Sequence, residues 1–203
     1  AADEGIREYP DDSFEIVRGD SPMKAPPLVV GMGPAGMFAA LILAEQGYRP
    51  VIIDRGDATE ERVRRVGTFF AGGALDPESN VQFGAGGAGT FSDGKLVTRI
   101  GDPHTSYIMR RLCEFGAPEE IMWRSKPHVG TDLLRGVVSR LLSRIEECGG
   151  SIICRCRLDG IDELPDGSLA AHTSRGDIRC GAAILATGHS ARDTYEYLIS
   201  SGY

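Results

Sequence analysis

Long apolar runs are missing from this 203-residue chain. No stretch approaches the roughly 20 consecutive apolar residues of a bilayer-spanning helix, so no membrane partner is expected. Positive charge is the scarcer sign: 22 Lys and Arg stand against 29 Asp and Glu, a net charge of −7. Nucleic acid, whose phosphates need a basic surface, is therefore not expected as a partner either. The cysteines are few and odd in number (Cys113, Cys148, Cys154, Cys156 and Cys180). They make no paired framework, no C-x-x-C redox motif and no second ligand pair for a metal. They read as buried thiols of a cytoplasmic protein, with Cys154 and Cys156 on one side of a strand that also carries Arg155 and Arg157. No metal site is expected. A secretory signal is not visible: residues 1–25 are acidic and broken by Pro10 and Pro22. They read as an extended leader or the remnant of an upstream domain.

Glycine, by contrast, is plentiful: 27 residues without a collagen-like period, gathered in loops where backbone could wrap a ligand. The most informative cluster follows the apolar run Leu28-Val29-Val30. It reads Gly31-Met32-Gly33-Pro34-Ala35-Gly36, a strand, a tight turn and a helix start, and a second strand over 50–53 ends at Asp54. This is the pattern of a dinucleotide site. Gly31 permits the turn, Gly33 lets a pyrophosphate approach the backbone, and Gly36 lets the helix pack on the sheet. Pro34 suits the first helical turn, the phosphates would sit at the helix N-terminus, and Asp54 would accept ribose hydroxyls.

Beyond Arg55 a charged helical stretch runs through Arg65, and residues 67–95 read as a long loop. Such a loop inside a compact domain is usually functional. Its glycines at 84, 86 and 89 repeat G-x-G-x-x-G, but Val81-Gln82-Phe83 is a poor strand. Gly89 to Lys95 spells the opening of a phosphate loop, yet Leu96 stands where a Ser or Thr should hold magnesium. The better reading is a loop lying over the first dinucleotide site, with its N–H groups near Gly86 and Gly87 and the hydroxyls of Thr90 and Ser92 bonding pyrophosphate or a flavin edge. Phe83, Phe91 and Leu96 would anchor it. Helical patterns follow. Ile108, Leu112 and Phe115 share one face, and Thr131 is expected to cap a longer helix whose stripe is Leu134, Val138, Leu141, Ile145 and Cys148. From Ser151 the pattern turns to strands: Ile152–Leu158, a hairpin over 169–179, and a buried strand over 182–186 that ends in Thr187-Gly188-His189.

Several of these segments occur together in a known order: Gly31 to Gly36, Asn80 to Gly84, Gly86 to Leu96, Lys126 to Asp132, and Ala186 to Asp193. In that combination the chain resembles the bacterial FAD-dependent dehydrogenases of the glutathione-reductase-like flavoprotein superfamily, from about Pro26 to the C-terminus. The resemblance implies an α/β, Rossmann-like FAD/NAD(P)-binding domain with three ββα layers, a parallel sheet and a β-meander. It implies one FAD-binding domain over residues 26–203, with 96–130 a helical insertion. It also implies FAD as cofactor, held by the glycine motif and Asp54, where flavoproteins more often have Glu. Arg55 and Gly56 would lie beside the adenosine, backbone near Leu158 would meet adenine, and Ala186-Thr187-Gly188 would be a second FAD-contacting strand end. Ala85 departs from the Glu usual in the family. Family members continue well past Tyr203, so the substrate part is expected to be missing from this chain.

In such a protein flavin carries the redox step, and the protein supplies position and electrostatics. Lys95 or Arg192 could place a cation near the flavin, and His189 and His128 are candidate proton carriers. The expected activity is an FAD-dependent oxidoreductase acting on a small-molecule substrate, with NAD(P)H a candidate electron donor. Two alternatives stay open: a non-catalytic dinucleotide-binding or interaction module, and an NAD(P)-linked enzyme without flavin. The sequence leaves the oligomeric state undefined.

Overall fold

The computed structural model describes residues 16–92, 94–96, 102, 104–124 and 128–203. Most of the proposed leader, Asp93 of the glycine loop and Lys126-Pro127 lie outside the described residues. Strand β1 (Leu28–Val30) leads through the glycine turn into helix α1 (Pro34–Glu45) and strand β2 (Val51–Ile53). Helix α2 (Thr59–Phe70), the glycine loop, α3 (His104–Glu114) and α4 (Thr131–Glu147) precede β3 (Ser151–Ile153). Three antiparallel strands follow: β4 (Leu158–Glu163), β5 (Leu169–Thr173) and β6 (Ile178–Cys180). Strand β7 (Ala183–Leu185) and helix α5 (Arg192–Ser200) complete the order.

The parallel sheet runs β3-β2-β1-β7, and the meander β4-β5-β6 forms its own sheet. Alternation along β1 explains why two layers can cover one sheet, because successive side chains leave on opposite faces. Val29 and Ile52 pack with Phe38 and Leu41 of α1 and with Val138, Leu141 and Ile145 of α4. Leu28, Val30 and Ile53 instead meet Leu158, Ala171 and Cys180 of the meander. The result is helices, parallel sheet and meander in three layers. Strand order reverses at β1: the chain adds β2 and β3 on one side, and only much later β7 on the other. Open sheets of this kind bind ligands outside the carboxyl ends of the strands at that reversal.

Five sequence expectations are corrected here. Helix α2 runs to Phe70 rather than Arg65, since Val66 continues its buried face, and the loop begins only at the turn before Gly72, whose φ is 93°. The stretch 152–158 is not one strand. Arg155 adopts a positive φ of 54°, which breaks the alternation between β3 and β4. Cys154 and Cys156 therefore part company: Cys154 packs against the helical side and Cys156 is buried between the sheets. Thr131 does not cap α4, whose N-cap is Gly130; its hydroxyl donates to the Ser92 carbonyl at 2.7 Å and ties the glycine loop down. Strand β7 is not buried. It is an edge of the described sheet, with Ile184 and Leu185 each 38% exposed.

Candidate functional site

Each glycine of the first motif meets a different neighbour. Gly31 has a φ of +108°, and a Cβ there would lie 2.4 Å from the Ala186 carbonyl oxygen. A Cβ on Gly36 would lie 1.8 Å from the Gly31 carbonyl oxygen. Both positions are closed by protein, so glycine there serves the fold. Around Gly33 a Cβ would meet nothing within 4 Å. That open face adjoins the start of α1, where Pro34 and Ala35 are exposed and no side chain caps the helix. Uncapped N–H groups and the helix dipole make such a start receptive to phosphate.

Asp54 follows β2 and is only 7% exposed. One carboxylate oxygen accepts from the Met32 N–H and the other from the Gly56 N–H, both at 2.7 Å. The acid thus braces the glycine turn from below, and each oxygen keeps a lone pair for a hydroxyl. Asp54 lines a narrow cleft together with Gly31, Arg55, Phe83, Leu158 and Thr194. Arg55 lies over the Phe83 ring, 4.6 Å from its centre, and reaches both carboxylate oxygens of Asp193 at 2.9 and 2.8 Å. Thr187 also lines the cleft, brought there because the Ala186 N–H donates to Val30 and seats the end of β7 beside β1. The Thr194 hydroxyl is buried without a hydrogen-bond partner, as a site built for a polar ligand would leave it. The open face at Gly33, the braced acid and this unpartnered hydroxyl fit a dinucleotide.

The glycine loop packs onto the same place. The Gly86 N–H donates to the Met32 carbonyl at 2.8 Å, and a Cβ on Gly87 would lie 3.2 Å from the Gly33 Cα. What organises the loop is Arg62 of α2, a residue with no exposed surface. Its guanidinium donates to the carbonyls of Asn80, Val81, Gly84, Ala85 and Gly87 and to the Thr90 hydroxyl. Burial pulls its pKa down to about 10, still far above neutral pH, so the cation persists. Thr90 is accordingly a correction: 1% exposed, its hydroxyl faces Arg62 and the Gly87 carbonyl rather than a ligand. The Ser92 hydroxyl is likewise engaged within the loop, donating to Gly89 at 2.9 Å. A lattice of ion pairs fixes the segment before the loop. Asp76 pairs with Arg65 and Arg155, and Glu78 pairs with Arg157.

The four proton or charge candidates fall into two sets. Lys95 and His128 face each other across an isolated antiparallel bridge just before α4, both exposed. His189 and Arg192 flank the turn between β7 and α5, also exposed. There Ser190 lies 3.4 Å from the His189 ring and donates to Gln82 at 3.3 Å, which joins this turn to the glycine loop. Sequence reasoning missed Arg62, Phe83 as a cleft wall, and Thr194. No sequence signal marked Arg62, which stands among charged neighbours on α2; its burial beside Thr59 and Val66 on one helical face emerges only in the fold.

Residues 24–69, which hold the first glycine motif, Asp54 and Arg62, match the family described as FAD binding domain. This bears out FAD as the cofactor. An uncharacterized protein of Clostridium beijerinckii is 48% identical over 196 residues, covering 93% of this chain and 37% of the relative. The chain thus spans little more than a third of that protein's length. Among solved structures, the L-proline dehydrogenase from P. horikoshii superposes with a TM-score of 0.53 at 13% identity, over 85% of this chain and 55% of that one. Thermovibrio ammonificans THI4 gives 0.50 at 17% identity, over 88% of this chain and 63% of that one. At such identities the shared property is the fold, and it is the Rossmann-like FAD/NAD(P)-binding fold read from the sequence.

Proposed function

We propose that this FAD-binding chain is the cofactor-holding part of an FAD-dependent oxidoreductase that exchanges a hydride or electrons with a small-molecule substrate. One observation carries the reading: three segments far apart in sequence converge at the carboxyl end of β1. They are the turn at Gly31–Gly36, the loop at Gly86–Gly87 and the strand end at Ala186–Thr187, and they leave the Gly33 face open. Asp54 and Arg55 would hold the adenosine end, with backbone at Leu158 beside the base. The start of α1 would take the pyrophosphate. FAD, when bound, supplies the electron-accepting centre. Lys95, His128, His189 and Arg192 would supply charge and protons at its edge, and NAD(P)H is the candidate donor. All five thiols are free, which supports a reducing, cytoplasmic setting. Among the described residues no helix is long and apolar enough to cross a membrane.

A second reading, a dinucleotide-binding module without turnover of its own, is favoured by the exposure of all four proton and charge candidates, Lys95, His128, His189 and Arg192. The two are separated by one set of measurements. The purified chain is denatured, the released cofactor is identified by its absorption spectrum, and the intact protein is then mixed anaerobically with NADH or NADPH. Released FAD together with bleaching of the flavin band supports the oxidoreductase. FAD without bleaching supports the module, and an NAD spectrum overturns the flavin assignment.

A further inference from the structure

Arg62 does more than fill space beneath the glycine loop. Four acceptors lie within 3.2 Å of its Nη1 alone, and Nε and Nη2 take two further carbonyls. A planar fork of five donors can reach acceptors spread over that arc; an ammonium of three donors at one point cannot. The face of Phe91 closes the guanidinium off, 4.7 Å from the ring centre. The consequence lies on the other side of the loop. A trans peptide is planar, so its N–H points opposite to its C=O. With the Gly87 carbonyl drawn onto Arg62, the Ala88 N–H must face away from it. Gly87 lies against the turn, where an added Cβ would meet Gly33 Cα and Pro34 Cδ at 3.2 Å, and it holds its orientation at φ 61°, ψ −168°, a conformation open only to glycine.

We propose that Arg62 is a positioning residue for the cofactor: by gathering the loop carbonyls it aims the Gly87–Ala88 peptide N–H at the pyrophosphate and flavin half of FAD, beside the open face of Gly33. This rests on the reading that FAD lies across the turn and the loop, on the open face of Gly33. Arg62 itself touches no ligand. The adenosine end depends on other residues, chiefly Asp54, Arg55 and Leu158, so the two halves of the cofactor should respond differently when Arg62 changes.

The test compares the wild-type chain with Arg62→Lys and Arg62→Met, using FAD and AMP as probes and following binding by calorimetry. Hydrogen exchange over 80–91 and thermal melting are recorded in parallel. In Arg62→Lys, FAD affinity should fall about tenfold or more, AMP affinity should fall far less, and exchange should rise across the loop. Arg62→Met should lose FAD binding further. If a folded Arg62→Lys binds FAD as the wild type does, the proposal is overturned. It is also overturned if FAD and AMP weaken equally and in step with the melting temperature, because Arg62 would then be a general structural support. A wild-type chain that binds AMP but not FAD would instead overturn the flavin reading on which the proposal rests.

Discussion

Gly33→Ala separates a residue kept for the ligand from one kept for the fold. Its backbone, φ −73° and ψ 178°, is ordinary extended geometry, and a Cβ would meet nothing within 4 Å. Without ligand the substitution should leave stability unchanged or raise it by about 0.4–1 kcal/mol through reduced chain entropy in the unfolded state. With ligand the effect reverses. A phosphate oxygen must come within about 2.9 Å of a backbone nitrogen to bond it, and a methyl group on this face holds it off. Losing one or two charge-assisted hydrogen bonds of about 1.5–3 kcal/mol each weakens FAD binding by at least about tenfold. Gly31→Ala and Gly36→Ala serve as controls, since their Cβ atoms would lie 2.4 and 1.8 Å from backbone oxygens. Both should lower the melting temperature before any ligand is added. Thermal melts of the apo chain and titration of flavin fluorescence provide the readouts. A stable Gly33→Ala that binds FAD with wild-type affinity would refute the placement of the pyrophosphate; one that fails to fold would refute the claim that the turn is open.

Asp54→Ala leaves the Met32 and Gly56 N–H groups without their acceptor, at a cost of about 1–3 kcal/mol each. It should therefore lower both denaturant stability and AMP affinity; an effect on neither would refute the double role. Tyr197 of α5 accepts from the Ile161 N–H at 2.7 Å and donates to the Ile161 carbonyl at 2.9 Å, pinning α5 to β4. Tyr197→Phe should cost about 1–2 kcal/mol in urea unfolding, and faster exchange at the Ile161 amide would locate the loss; unchanged exchange there would count against the contact. Cys154 is pushed up from the ordinary 9.0 to about 11, first by burial and then by the nearby Asp54 and Asp57. The folded chain holds this thiol neutral where the unfolded chain ionises it, so its contribution to stability is intact below pH 9 and declines as pH rises toward 11. Iodoacetamide alkylation of a variant retaining only this cysteine should follow a midpoint near 11; a midpoint in the ordinary thiol range would refute the burial.

The glycine turn was legible in sequence because its requirements are local: a positive φ at Gly31 and close backbone packing at Gly36 arise within a few residues. The α/β class was legible because β1 and α1 are almost wholly apolar and α4 carries an apolar stripe, whereas the three layers were implied by the family resemblance. Other features depend on partners distant in sequence. Asp54 reads as a ribose acceptor, but only the fold shows both oxygens bracing the turn. Arg62 stands among charged neighbours on α2, so its burial is visible only once the loop carbonyls gather around it. The apolar run at 182–186 reads as a buried strand, whereas its place at an edge of the described sheet follows from sheet order. The break at Arg155 is a single backbone choice that hydrophobic pattern does not encode.

The pairing of β1 with β7 also sets a timetable. The meander strands are close neighbours in sequence and can pair early, because short loops close at little entropic cost. Leu28 and Ala183 pair from strands far apart in sequence, so their contact forms later than the meander. During synthesis the fingerprint turn emerges well before one wall of its cleft, Thr187 and Thr194. Completion of the cleft thus waits for the docking of β7 and α5, and a shortage of the ligand it holds would be felt at that step rather than earlier in folding.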